Sequence, residues 1–234
     1  MLAIYKREMR AYLTSVIGYA FIALFLAVSG GLFVYTTLYA MSASVSNYFT
    51  YMLIFFVVLL PLLTMKSFSE EKKLRTEQLL MTAPVSIFSM VMAKYLAAMT
   101  MFSSCMLVSS LSFTILYRYA VVKTAMLLGN LIAVLLVGSA LLAIGIFVSA
   151  LTENQLTAAV GTVGIILLFF VINLVNSVVS AYWLRFILSS LSIFGRFQNF
   201  TQGVFDFAAL FYYLSVSAVF LFLTMRIYDR RRYR

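Results

Sequence analysis

Residues 67–86 read SFSEEKKLRTEQLLMTAPVS, and the way this stretch interrupts its surroundings decides the fold class. The chain is 64% hydrophobic and 10% charged, with 17 basic and 7 acidic residues, yet six of those charges crowd between Glu70 and Glu77. Apolar runs flank the cluster, from Tyr48 to Met65 on one side and from Ile87 to Leu116 on the other. A mostly apolar run of about 20 residues crosses the hydrocarbon core of a bilayer as a helix. The charged island is therefore expected to be a loop between two spans.

Working outward, the same reading gives six spans, at about 16–39, 48–65, 87–116, 124–150, 156–179 and 205–225. Soluble domains average about 25% charged residues, far above this chain. The expected architecture is all-α: a polytopic membrane protein forming a single transmembrane domain over residues 1–234. Pro61 is expected to kink the second span. Ser86 is placed to cap the third at its N-terminus. The third is long enough to tilt or protrude, and Lys94, two turns inside it, is expected to snorkel back to the headgroups. Residues 1–14 alternate apolar and charged side chains and predict an interfacial helix on the membrane surface. Residues 181–204 mix Tyr182, Trp183, Phe194 and Phe197 with Arg185 and Arg196, a composition that belongs at a membrane interface. They predict short, broken interfacial or re-entrant helices before the sixth span.

Charge orients the spans. Six spans put both ends of the sequence on one side with the 67–86 loop, and that side holds all but Arg118, Lys123, Arg185 and Arg196 of the 17 basic residues. Lysine and arginine accumulate in cytoplasmic loops, so both termini and residues 67–86 are expected in the cytoplasm. The net charge of +10 invites a nucleic-acid partner, but the basic residues do not interleave with aromatics on a soluble face, and none is expected.

Chemistry is sparse. There is no histidine, which excludes a Ser-His-Asp triad and histidine metal ligation, and Cys105 has no second cysteine to pair with. No GxxxxGK[ST] phosphate loop occurs, so the chain is not expected to bind a nucleotide itself. The spans lack securely embedded carboxylates, which weighs against an ion-coupled carrier. Asn173 and Asn176, three apart on one face of the fifth span, could line a path or pack against another helix. Gly138, Gly145, Ser149, Gly161 and Gly164 invite close helix packing. Within 67–86, Glu71 and Arg75 are spaced four apart, as are Lys73 and Glu77, and Leu74, Leu79, Leu80 and Met81 supply an apolar face. This predicts a short amphipathic helix suited to docking.

The stretch EEKKLRTEQLLMTAPVS resembles the first cytoplasmic loop of the type-2 permeases of ATP-binding-cassette transporters. The matching residues are Glu70, Glu71, Lys72, Thr76, Glu77, Leu79, Leu80, Thr82, Pro84, Val85 and Ser86. Arg75 stands where that pattern often has glycine, and an arginine there is expected to make the helix more continuous. FQNFTQGVFDFAALFYYLSVSAVFLFL, opening the last span, is similar to the gliding-motility-type subgroup.

The resemblance implies a non-catalytic permease subunit, exporter-type, in a bacterial cytoplasmic membrane. It implies a second permease copy or sibling and two separate ATPase subunits that carry ATP and Mg, with membrane lipid around the spans. Residues 1–14 would be the connector helix and 67–86 the coupling helix. The coupling role would rest on Glu70, Glu71, Lys72, Arg75, Thr76, Glu77, Leu79, Leu80 and Pro84. The competing readings are a membrane anchor or scaffold for an ATPase-driven envelope process without translocation, and a secondary carrier or channel.

Overall fold

The computed structural model describes residues 1–41, 45–76, 85–119, 124–178, 182–201 and 206–232. Among these residues every regular element is helical. The chain is an integral, multi-pass membrane protein in which six helical stretches are long and apolar enough to cross a membrane: Val16–Tyr39, Val45–Lys73, Ile87–Leu116, Thr124–Leu151, Gln155–Asn176 and Phe207–Arg230.

A first helix, α1 (Leu2–Thr14), turns at Ser15 into α2 (Val16–Phe33). Ser15 caps α2 by accepting a hydrogen bond from Gly18 N at 3.1 Å. The turn brings Tyr12 so close that a Cβ on Gly18 would lie 1.8 Å from the Tyr12 carbonyl oxygen, so no other residue fits. α2 continues as a π-helical stretch, Val34–Tyr39, which the sequence did not foreshadow. α3 (Val45–Thr64) carries Pro61 inside its last turn and leads through a turn into the five-residue α4 (Ser69–Lys73).

α5 (Ile87–Ser110) starts at Ser86, whose side chain accepts from Ser89 N at 3.2 Å, the expected cap. The third span runs Ile87–Leu116, as expected, with one irregularity inside it. At Leu111 and Ser112 the turn tightens, Leu111 N donating to Val108 O and Ser112 N to Ser109 O, and α6 (Phe113–Tyr119) follows. Serine favours such local alternatives to the regular ladder, and three of the four residues 109–112 are serine.

α7 (Thr124–Leu151) is the central element. It packs against α3, α5, α8 (Gln155–Val178) and α11 (Phe207–Arg232). Its apolar character on every side suits that place, and Ala140 to Ile144 are fully buried. By contrast, α8 leaves Leu156, Val160, Leu168 and Val171 exposed, as expected of a lipid-facing helix. Between α8 and α11 lie two short helices, α9 (Tyr182–Leu191) and α10 (Phe197–Thr201), where broken helices were expected. α11 is longer than the predicted sixth span and takes in the basic run as far as Arg232.

Candidate functional site at the charged elbow

The turn after α3 and the short α4 form an elbow, residues 65–76, held by four other elements. From α7, Ser149 Oγ accepts hydrogen bonds from Phe68 N at 3.0 Å and Ser69 N at 3.1 Å, and donates to Met65 O at 3.3 Å. Ser149 thus satisfies two backbone donors at the start of α4 that have no helical partner. Lys72 reaches back to the Ala150 carbonyl at the end of α7. From α11, the Tyr228 ring packs on Phe68, centroids 4.8 Å apart. From α1, Arg7 pairs with Glu71 at 2.7 Å and with Glu8 at 2.6 Å.

The fourth element, α5, contributes Lys94, whose side chain is 1% exposed. Its ammonium lies 3.1 Å from Glu8, 3.0 Å from Glu71 and 2.6 Å from the Ser67 carbonyl oxygen, and sits over the Phe68 ring. Lys94 therefore does not snorkel. Two carboxylates lie within reach on neighbouring elements, and burying an ammonium without such partners costs several kcal/mol, roughly, even after relaxation. Lys94 and Arg7 balance Glu8 and Glu71, so the cluster is neutral and ties α1, α5 and the elbow to one another. Beside it Tyr12, on α1, donates to Leu63 O at 3.1 Å at the end of α3. Burial, with a smaller contribution from Glu8, pushes its phenol well above the ordinary range, so it remains a donor. Between α1 and the elbow opens a cleft of about 740 Å³ lined by Arg7, Glu8, Lys66, Glu70, Glu71 and Leu74.

The predicted docking residues separate into groups. Glu71 and Lys72 turn into the protein. Glu70 stays at the surface and pairs with Lys66 at 3.4 Å. Thr76 Oγ1 donates to the Glu71 carbonyl at 3.3 Å. Leu74 is 64% exposed. Arg75 corrects the expected helix: its φ is 56°, in the left-handed region, and α4 ends just before it. An Arg75–Glu71 helical pair does not form, because Glu71 is taken by Arg7 and Lys94. Glu77, Leu79, Leu80 and Pro84 lie outside the described residues, and with them the Lys73–Glu77 pair.

No protein-family model and no curated protein matches this chain. The geometry stands on its own.

At the other end of the bundle, Asn173 and Asn176 do share a face, and both line a cavity with residues of α9 and α10. Asn173 Oδ1 accepts from Ser192 Oγ at 3.0 Å. Sequence reasoning missed Lys94, Glu8 and Tyr228 as parts of the elbow, and read Ser149 only as a small packing residue. One signal was present: a lysine inside an apolar run needs a carboxylate, and the chain has only 7 acidic residues to offer.

Proposed function

We propose that this protein is the permease subunit of an ATP-driven transporter of the exporter type, working as a pair of permease chains with two separate ATPase subunits docked against the elbow in the cytoplasm. The observation that carries the reading is the strapping of the elbow. A partner that moves residues 65–76 pulls directly on α1 through Arg7, on α5 through Lys94, on α7 through Ser149 and on α11 through Phe68. Such an element converts a local push into a rigid-body shift of spans. The resemblance of residues 70–86 to the coupling loop of type-2 permeases supplies the identity of the partner. Exposed Leu74 and Glu70 flank the segment that would complete the docking surface, and the adjoining cleft is lined by both signs of charge, which favours orientation and partner choice.

The test is to purify the full chain in mild detergent from its native host and identify what comes with it. The expected result is a co-purifying protein with a phosphate-binding loop, lost when Leu79 and Leu80 are replaced by aspartate while the permease still inserts. A chain that arrives without such a protein would overturn the reading. Stimulation of the partner's ATPase by a candidate substrate would separate translocation from a purely anchoring role.

A further inference from the structure

The cavity at the end of the bundle remote from the elbow is lined mainly by basic, amide and hydroxyl side chains. It has a volume of about 510 Å³ and is shared by the end of α8, by α9, by the turn at 192–196 and by α10. Two arginines, Arg185 and Arg196, line it, while no carboxylate is among the described residues of the lining. The remaining lining is mainly amide and hydroxyl, including Asn173, Asn176, Ser192 and Asn199. In a chain whose exposed helix faces are apolar, this is an unusual concentration of polar groups.

Its polar groups are incompletely satisfied. Arg196 lies with its guanidinium 4.2 Å from the centre of the Tyr212 ring, which fixes its plane. Its Nε is buried and finds no hydrogen-bond acceptor among the described residues, and neither arginine has a carboxylate within ion-pair distance there. Asp206, the nearest acidic candidate, stands beside the cavity rather than in its lining: it accepts from Asn199 Nδ2 of the lining at 2.8 Å and from Ala208 N at 2.8 Å at the start of α11, and it feels Arg196 only as a charge beyond ion-pair distance. Those bonds, the one from Asn199 first, hold its carboxyl below the usual range. Elsewhere in the lining, Asn176 Oδ1 is likewise buried and unpartnered among the described residues. Buried polar groups are seldom left so. A ligand carrying acceptor oxygens for Arg196 and Arg185, and a hydroxyl donor for Asn176, would satisfy these groups.

We propose that this cavity binds a phosphate group bearing a neighbouring hydroxyl, with Arg196 and Arg185 holding the phosphate. Guanidinium groups offer planar, paired donors that match phosphate oxygens. The group can arrive on a phospholipid headgroup or as a free phosphate, and the two sources are separable by experiment.

The full chain, in a phosphate-free maltoside detergent, would be titrated with dioctanoyl phosphatidylglycerol, with dioctanoylglycerol and with inorganic phosphate, reading the heat of binding by isothermal titration calorimetry. The expected result is a saturable change with the phospholipid and none with dioctanoylglycerol, with the apparent Kd raised about tenfold or more in Arg196→Gln. Arg185→Gln, at an exposed side chain, guards against misfolding at Arg196 and should weaken binding in the same direction. Arg226→Gln, at the elbow end of α11, should leave it unchanged. Saturation by inorganic phosphate alone, lost in the same two variants, would assign the site to a soluble phosphate. The proposal is overturned if neither phosphate compound gives a saturable change, if dioctanoylglycerol does as well as the phospholipid, or if both arginine variants bind as the parent does.

Discussion

Lys94 and Arg75 are the two residues whose behaviour departs furthest from what their neighbours in sequence suggest. Lys94 carries a full charge into a buried place, and removing it leaves Glu8 and Glu71, both mostly buried, facing each other with Arg7 as the remaining cation. Breaking a buried pair from one side costs about 3–5 kcal/mol, and the surviving Arg7 contacts should hold the loss near the low end. Lys94→Met is thus expected to lower the unfolding midpoint in detergent, with a loss of about 3 kcal/mol, and a midpoint equal to the parent's would show that the cluster is not stabilising. At Arg75 the sign runs the other way. A non-glycine residue in the left-handed region costs roughly 1–2 kcal/mol, so Arg75→Gly should stabilise the elbow by about 1 kcal/mol despite glycine's poor helix propensity, whereas Arg75→Val should destabilise it. Hydrogen exchange of the elbow amides reads this directly. Helix propensity failed here because the position ends a helix rather than continuing one. The glycine frequent in the pattern that residues 70–86 resemble suits the left-handed backbone at Arg75, and Glu71's true partners, on α1 and α5, cannot be read from a spacing of four.

Among the helices, legibility followed length. The long apolar runs located all six spans, since the bilayer imposes one requirement on each, but the breaks inside them were set by local competition. The serines at 109–112 ended α5 early, and the basic run after Met225 stayed helical because nothing in it breaks a helix. Close packing was partly visible as glycine. At Gly145 an added Cβ would lie 2.3 Å from Thr64 Oγ1, and at Gly138 it would lie 2.2 Å from the buried Phe102 ring. Gly164, by contrast, faces open space. Gly145→Ala and Gly138→Ala are each expected to destabilise by about 1–3 kcal/mol through overpacking. Gly164→Ala should instead be neutral or stabilising by up to about 1 kcal/mol, because only the helix-propensity gain remains. Thermal unfolding of the three variants, side by side, separates packing from propensity, and a uniform response would contradict this assignment of contacts.

Across the molecule, contacts place α1, the elbow and the last turns of α11 at one end and the arginine-lined cavity at the other. This yields a labelling prediction. Cys105 is the only cysteine and is buried, so the parent chain should react little with a membrane-impermeant maleimide. Glu70→Cys and Gln198→Cys are expected to react from opposite faces of sealed vesicles, Glu70→Cys from the side that carries the basic excess. Labelling of both from the same face would refute the six-span arrangement. The order in which the cluster around Lys94 is made also has a consequence for biogenesis. Chains emerge N-terminus first, so Glu8 and Glu71 are synthesised before the lysine that needs them. When α5 leaves the ribosome, its one buried cation meets counter-charges already waiting, and the insertion machinery need never hold that ammonium alone in lipid.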